Sequence, residues 1–196
     1  MKVHRLRTPL EEGETRRLRA GEIVYLSGTI FTARDEAHLE MLEHGIEGFD
    51  PRGMVLYHCG PVARKENGEW KILVAGPTTS FRMEPLEPGF IARFGVRAII
   101  GKGGMGPGTQ EALQRHGTVY LAFTGGAGVL AAERLRKVHA VFLLEKLGMA
   151  EAVWVIEAEE FGPLVVAMDA HGNSLYDLVA QRSRSLMEAV VRDRAL

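Results

Sequence analysis

The sequence is poor in cysteine. Its 196 residues contain one, Cys59. A single thiol excludes a disulfide framework, and it excludes an iron–sulfur cluster or structural zinc ion held by several cysteines of this chain alone. Long apolar stretches are also missing: no run of about 18 apolar residues occurs, and the N-terminal MKVHRLRTPLEEGE has no apolar signal core. We therefore expect a cytoplasmic protein with no membrane-spanning segment.

An excess of either charge is missing as well. The chain has 24 lysines and arginines against 25 aspartates and glutamates, for a net charge of −1. Without a basic face, nucleic acid and anionic membranes are poor candidate partners. The composition is that of a globular protein, with 46% hydrophobic residues and 23 glycines for tight turns. We expect residues 1–196 to form one domain rather than two small ones.

Apolar runs of strand length recur along the chain. They are Glu22–Leu26, Gly28–Thr32, Met54–His58, Val96–Gly101, Val119–Phe123, Trp154–Glu157 and Leu164–Met168. Asn67-Gly68, before a further apolar run, predicts a hairpin.

Helical periodicity fills much of the sequence between these runs. It covers Ala33–His44, Pro88–Phe94, Thr109–His116, Leu175–Arg192 and the segment after the glycines of GGAGVLAAERLRKV. Thr79 or Ser80 is a candidate cap of a short helix that runs to Pro85. The order of elements predicts an α/β fold with mixed strand connections, and not the regular alternation of a dinucleotide-binding fold.

Three strand ends combine a glycine-rich or hydroxyl-rich turn with a cation. Arg34 follows a strand in SGTIFTARDEAH, Arg82 follows three hydroxyl residues in AGPTTSFRM, and Lys102 lies between glycines in IIGKGGMGPG. Ligands gather at strand ends in α/β sheets. An arginine offers a carboxylate a fork of N–H donors, and a lysine offers a point charge. Three cations with nearby hydroxyls suit a small dianion such as a dicarboxylate, although a single arginine at a helix start is more often solvated.

Other patterns predict less. GKGGMGPG lacks the residue order of a P-loop, and the glycines of FTGGAGVLAA are as consistent with close packing as with phosphate binding. His38 and His58 lack the sequence spacing of metal ligands. Cys59 is expected to be a small buried residue, and Asp169 is expected to form a turn.

Seven motifs together resemble a known family. In order they are LSGTIFTARDEAH, YHCGPV, AGPTTSFRM, IGKGGM, FTGGAG, EAVWVIE and GNSLY. They resemble the C-terminal domain, or beta subunit, of class I iron–sulfur fumarases and the related L-tartrate dehydratases, from about Thr8 to Tyr176. The chain departs slightly after DEAH, where Leu39-Glu40 replaces residues that are often basic in the family. The resemblance implies a swivelling β/β/α domain, with a mixed sheet and flanking helices, and reversible hydration of fumarate to (S)-malate, a reaction of the tricarboxylic acid cycle.

The resemblance also implies roles for four residues. Arg34 matches an arginine that binds a substrate carboxylate. Thr78 and Arg82 match a threonine and an arginine that hold the dicarboxylate, and Lys102 matches a substrate-binding lysine. Of these, Arg82 and Lys102 are expected to contribute to catalysis, and no residue of this chain is expected to ligate a metal.

The family's 4Fe–4S cluster has three cysteine ligands and one iron that is open to substrate as a Lewis acid. In the family those cysteines, and the proposed acid–base residues, lie in the other domain or subunit. The resemblance therefore implies a beta subunit that binds no cofactor alone and is active only with a cysteine-bearing alpha subunit, as a hetero-oligomer or a homodimer. Two alternatives stay open: L-tartrate as the substrate, and a non-catalytic dicarboxylate-binding module that uses Arg34, Arg82 and Lys102.

Overall fold

A computed structural model describes residues 2–193 of the chain. Its strands are β1 (Val3–Arg7), β2 (Ile23–Thr32), β3 (Val55–Tyr57), β4 (Val62–Glu66), β5 (Glu69–Val74), β6 (Ala98–Gly101), β7 (Val119–Ala122), β8 (Leu135–Phe142) and β9 (Val153–Met168). Its helices are α1 (Glu12–Thr15), α2 (Asp35–His44), α3 (Glu87–Phe94), α4 (Pro107–His116), α5 (Gly128–Ala132), α6 (Leu144–Leu147) and α7 (Leu175–Asp193), with a 3-10 helix at Ser80–Met83. A mixed sheet with flanking helices confirms the predicted α/β class.

The main sheet has the strand order β1-β2-β3-β6-β7-β9-β8, and β4 and β5 form a separate hairpin. Strands β2, β3, β6 and β7 run parallel, and β9 pairs antiparallel with both β7 and β2. Because β9 bridges them, the sheet closes on itself and has no free edge between β7 and β2. Because β2, β3 and β6 run parallel, their carboxyl ends lie together at one end of the closed sheet, which we call the strand-end edge.

Two hydrophobic clusters hold these elements together. The first lies inside the closed strands and beneath the hairpin, with Tyr57, Trp154 and Phe161 fully buried. The second joins the sheet to α2, α3 and α4 and includes Phe31 and Phe90. Complete burial of a large apolar side chain stabilises the fold by about 1.5–3 kcal/mol. The apolar faces of α2, α3 and α4 therefore fix the loops that precede these helices at the strand-end edge.

Strand β2 is longer than the sequence predicts. It runs unbroken through Ser27 and Gly28, so the predicted break at this pair is wrong. Gly28 has a φ of +94°, and a Cβ there would lie 2.5 Å from Thr8 Oγ1. The glycine therefore permits a close approach of the segment after β1 rather than a turn.

The C-terminal strands also differ from the prediction. Trp154–Glu157 and Leu164–Met168 are parts of one strand of 16 residues, β9, because pairing with β2 continues on both sides of Gly162-Pro163. The helix predicted after the glycine-rich segment ends at Ala132, and the following residues form β8 against β9. The glycines serve close packing, since a Cβ at Gly128 would lie 2.7 Å from the Val74 side chain.

Three short elements, β1, α1 and α6, have no counterpart in the prediction. The hairpin turns at Asn67-Gly68, and α4 ends at Gly117 in the left-handed conformation, as predicted. Thr79, one of the two predicted positions, is the N-cap residue of the 3-10 helix, but its side chain makes no capping hydrogen bond. The hydroxyl of Ser80 instead lies 2.9 Å from both His58 Nδ1 and the Tyr120 hydroxyl oxygen.

Helix α7 is amphipathic but contacts the rest of the chain little beyond its first turn. The sequence pattern predicts that Leu178, Leu186 and Val190 pack either on the chain's own core or on a partner subunit. Leu178 is 46% exposed and Leu186 is 69% exposed, so the first alternative is wrong for these two residues, and the second stays a prediction. The side chain of Val190 lies outside the described residues. No helix within residues 2–193 is both long and apolar enough to cross a membrane.

We expect deletion of residues 177–196 to leave the stability of the isolated chain nearly unchanged. Within residues 177–187, whose side chains the structure describes, all but the partly buried Ala180 are exposed. The melting temperature is therefore expected to shift by less than about 4 °C, the equivalent of about 1 kcal/mol for a chain of this size. Thermal unfolding of both forms measures the shift. A fall of 10 °C or more, on the same scale, would show that the helix stabilises the fold.

Asp169 lies in a turn, as predicted, and it also accepts hydrogen bonds from outside that turn. Its buried carboxylate accepts hydrogen bonds from the backbone N–H of Ala20 (3.0 Å) and of His171 (2.9 Å), and from Asn173 Nδ2 (2.9 Å). Burial by itself raises the pKa of this carboxyl. The hydrogen bonds from Asn173 and the backbone amides lower the pKa by a larger amount, so the net pKa lies below the ordinary 3.8.

Replacing Asp169 by asparagine is expected to lower the free energy of unfolding by about 1–3 kcal/mol at pH 7, because buried donors lose an ionised acceptor. Since the folded-state pKa lies below the unfolded-state value, the contribution is complete above the unfolded-state pKa and is lost as the pH falls through the folded-state pKa. Urea unfolding at pH 7 and pH 3 measures this, with the exposed Glu47→Gln as control. An equal deficit at both pH values would contradict the account.

Candidate functional site

The segment Thr78–Arg82 is held between two strand ends. The Thr78 N–H donates to the His58 carbonyl oxygen at 2.7 Å, just beyond β3. The Ser80 N–H donates to the Lys102 carbonyl oxygen at 3.0 Å, just beyond β6, and Thr79 forms a parallel bridge with Lys102. The hydroxyl-rich segment and the lysine loop thus form one continuous surface at the edge of the sheet.

Arg82 reaches across this surface to the start of α2. Its Nη2 donates to Asp35 Oδ2 at 2.7 Å and to Thr78 Oγ1 at 3.1 Å. The side chain is 47% exposed, so part of the guanidinium faces solvent beside the threonine hydroxyl. The structure therefore brings Thr78 and Arg82 together as predicted. It adds Asp35, which the sequence analysis missed although it follows Arg34 directly.

Arg34 lies at the carboxyl end of β2, next to Asp35, and its Nε is 3.2 Å from Glu151 Oε1. The guanidinium packs over Gly60, where a Cβ would lie 2.8 Å from Arg34 Nη1 and 2.4 Å from the Ala150 carbonyl oxygen. Only glycine fits this position. The motifs YHCGPV and EAVWVIE thus both fix Arg34, the first through Gly60 and the second through Glu151.

The loop that carries Lys102 is shaped by two neighbours outside it. The carboxylate of Glu84 accepts hydrogen bonds from the Gly106 N–H (2.7 Å) and from the Thr109 hydroxyl (2.6 Å), at the start of α4. The ring of Tyr176 covers Gly104, where a Cβ would lie 2.6 Å from the ring. The motif GNSLY therefore packs on the lysine loop, and Glu84 fixes where that loop enters α4.

The site is an open edge rather than an enclosed cleft. Well-formed concavities of the described surface lie elsewhere, for example one of about 500 Å³ between Trp70 and the segment from Val138 to Lys146. Arg34, Thr78, Arg82 and Lys102 line neither this concavity nor three others of the described surface. An anion bound at these residues would remain exposed on one side.

A cluster of three titratable side chains lies beneath this edge. His38 on α2, His58 after β3 and Glu87 at the start of α3 are all fully buried. The Nε2 atoms of His38 and His58 lie 3.2 and 3.0 Å from Glu87 Oε2. The two histidines lack the sequence spacing of metal ligands, as the sequence analysis noted, but three separate elements bring them together with Glu87, which sequence spacing could not reveal.

Fold and site together define the class of protein: an α/β domain with two arginines, a lysine and a threonine hydroxyl at the carboxyl ends of its parallel strands. The family model described as Fumarase C-terminus matches residues 2–179. The chain therefore belongs to the Fumarase C-terminus family, as the order of its motifs predicted.

Three curated relatives illustrate the similarity. "Putative L(+)-tartrate dehydratase subunit beta" of Methanocaldococcus jannaschii is 44% identical over 88% of this chain and 91% of its own length. "L(+)-tartrate dehydratase subunit beta" of Escherichia coli K12 is 39% identical over 94% of each. "Putative fumarate hydratase class I" of Geobacillus stearothermophilus is 43% identical over 93% of this chain, which spans 35% of that longer protein.

Proposed function

We propose that this chain is the beta subunit of a two-component iron–sulfur hydro-lyase that reversibly adds water to the double bond of a dicarboxylate. One observation carries the proposal: Arg82 donates a hydrogen bond to Thr78 on a surface continuous with the Lys102 loop, and it also pairs with Asp35, the residue that follows Arg34. Two relatives of similar length are named as beta subunits of a dehydratase. The open edge supports a site that a second polypeptide completes.

The proposed chemistry assigns the binding and the charge stabilisation to this chain. Arg82 and the Thr78 hydroxyl donate to one carboxylate, and Arg34 and Lys102 hold the other end of the dianion. When a proton leaves the carbon next to a carboxylate, negative charge spreads onto that carboxylate. Fixed cations in a water-poor site stabilise this charge as it develops. This is the sense in which Arg82 and Lys102 are proposed to be catalytic.

Cys59 does not fit the iron–sulfur cluster of the family. Its thiol is fully buried, and burial raises its pKa far above the ordinary value, whereas a cluster ligand must be a thiolate. We therefore assign the cluster to the proposed alpha subunit, where it would supply the Lewis acid for the departing hydroxyl.

Fumarate is the proposed substrate, with (S)-malate as product, and L-tartrate is the second candidate because two relatives are named for it. The test is kcat/KM of the enzyme, reconstituted anaerobically with its partner, on fumarate, (S)-malate and L-tartrate. The proposal expects the highest values for fumarate and malate. Higher values for tartrate would transfer the assignment to the second candidate, and binding without turnover of any of the three would favour the non-catalytic module.

Asp35→Asn tests whether the position of Arg82 matters. Removing the charge that faces Arg82 Nη2 lets the guanidinium move from the site, so kcat/KM is expected to fall about 3- to 30-fold, or about 0.7–2 kcal/mol. The fold should be unaffected, because a half-exposed ion pair contributes less than about 1 kcal/mol. Glu36→Gln, at the exposed next position of α2, is the matched control. Equal kcat/KM values for the two variants would remove Asp35 from the account.

A further inference from the structure

The buried cluster of His38, His58 and Glu87 has more polar atoms than hydrogen bonds. Four of its atoms are inaccessible to solvent and have no hydrogen-bond partner among the described residues: the Nε2 atoms of both histidines and both carboxylate oxygens of Glu87. The two histidine-to-carboxylate contacts are short, at 3.0 and 3.2 Å, but are not aligned as hydrogen bonds. Buried polar atoms without partners are costly, and four of them in one place call for a ligand.

The other nitrogen of each ring is already engaged. His38 Nδ1 lies 2.8 Å from the Arg34 carbonyl oxygen, which can only accept, so Nδ1 carries a proton and Nε2 is the ring nitrogen left to bind a ligand. His58 Nδ1 lies 2.9 Å from Ser80 Oγ, whose second neighbour is the hydroxyl of Tyr120. Histidines that bind metals are held in this way, by a carbonyl or another polar group on the second nitrogen.

The separations are close to those between two ligands of one cation. Nitrogen and oxygen ligands about 2.0–2.1 Å from a tetrahedral zinc ion lie about 3.3–3.4 Å apart, and the two contacts to Glu87 are slightly shorter, at 3.2 and 3.0 Å. The nearest ligand atoms of His38, His58 and Glu87 all lie within 4.8 Å of one another. Ligands around a shared centre also point past one another, which accounts for short contacts that are not aligned as hydrogen bonds.

We propose that His38, His58 and Glu87 form a closed site for one divalent metal ion of the zinc class, with Glu87 as a bidentate ligand. Two imidazoles and two carboxylate oxygens give the ion four ligands, which use all four of the unpartnered atoms. Imidazole suits Zn²⁺ and its first-row neighbours better than Mg²⁺ or Ca²⁺. Full burial leaves no open position for substrate, so the site is structural.

The metal ion would connect the segments that carry the proposed substrate-binding residues. His38 contacts the carbonyl of Arg34, and the carbonyl of His58 accepts from the Thr78 N–H. Ser80, the neighbour of His58, donates its N–H to the carbonyl of Lys102. One ion bound to α2, α3 and the end of β3 thus fixes the backbone at Arg34, Thr78 and Lys102 together.

Without a metal ion, the same cluster must hold a proton instead. Burial raises the pKa of Glu87, but the two histidines lower it more strongly, to about 2, so the carboxylate is ionised. Burial lowers the pKa of His58, which keeps that ring neutral at pH 7. A buried ion pair between Glu87 and the pair of histidines is then the competing state, and the metal content of the protein separates the two.

The test uses the full chain without a histidine tag, unfolded in chelator and refolded with Zn²⁺ or Co²⁺. After removal of free metal, elemental analysis is expected to find about one equivalent per chain, and the melting temperature is expected to exceed that of protein refolded in chelator alone. The Co²⁺ form should show the visible absorption of a four-coordinate ion. Less than about half an equivalent, with no change in melting temperature, would overturn the proposal in favour of the ion pair.

Variants add specificity to this test. His58→Gln and Glu87→Gln are expected to lose the bound metal and the Co²⁺ absorption, whereas His139→Gln, at a 40% exposed histidine, is expected to keep both. If a cluster variant does not fold, the comparison of wild-type protein refolded with and without metal still decides. Full metal content in a folded Glu87→Gln variant would contradict the assigned ligands.

Discussion

Replacing Arg82 by alanine in the assembled enzyme is expected to lower kcat/KM by about 30- to 1000-fold, which corresponds to about 2–4 kcal/mol of transition-state binding. The reason is geometric. Arg82 Nη2 already lies 3.1 Å from Thr78 Oγ1 on an exposed surface, so the two groups can donate to one carboxylate together. The fold should be unaffected, because Arg82 is 47% exposed and lies outside both hydrophobic clusters.

Two further variants make this test specific. Arg82→Lys should recover only part of the loss, since an ammonium group keeps the charge but not the fork of donors. Arg64→Ala removes a similarly exposed arginine from the β4–β5 hairpin, where it pairs with Glu66, and should leave kcat/KM unchanged. An Arg82→Ala enzyme that matches the Arg64→Ala enzyme would remove Arg82 from the site.

The sequence predicts the parts of the structure that local chemistry determines. Asn67-Gly68 encodes its turn, and Gly117 ends α4 because it adopts the left-handed conformation. The four-residue spacing of Thr78 and Arg82 also places them together, because one short helical turn joins them. These features depend on residues that are neighbours along the chain.

Features that depend on distant residues were missed. Gly162-Pro163 separates two predicted strands, but β2 pairs with Phe161 before this dipeptide and with Leu164 after it, so β9 continues through it. The partners of the proposed cationic residues are also distant in sequence. Arg34 contacts Glu151, which lies just before β9, and Arg82 contacts Asp35 of α2. No periodicity within one segment encodes such contacts.

The buried cluster is the clearest example of a feature that the sequence could not predict. His38, His58 and Glu87 lie on three separate elements, and none of them has the sequence spacing of a metal site. Only closure of the sheet, with α2 and α3 packed over it, brings the three together. The sequence could reveal each histidine but not the carboxylate between them.

The second large effect concerns the iron–sulfur chemistry, and it follows from counting thiols. A 4Fe–4S cluster needs about three or four thiolates, and this chain offers one cysteine, which is buried. The proposed cations can bind a dicarboxylate and stabilise its charge, but they cannot act as the Lewis acid for the departing hydroxyl. The chain by itself is therefore expected to fold, to contain no acid-labile sulfide and to bind fumarate or malate only weakly.

The most direct test of the account is fumarate-to-malate conversion by the chain alone and by the chain mixed anaerobically with its cysteine-bearing partner. We expect no measurable turnover by either component alone and turnover by the mixture, which should be lost in air because an iron atom with an open position is exposed to oxidants. Turnover of L-tartrate instead of fumarate would change the proposed substrate but retain the claim that this chain is half of a two-component enzyme. Robust, oxygen-stable hydration of fumarate by the chain alone would contradict it.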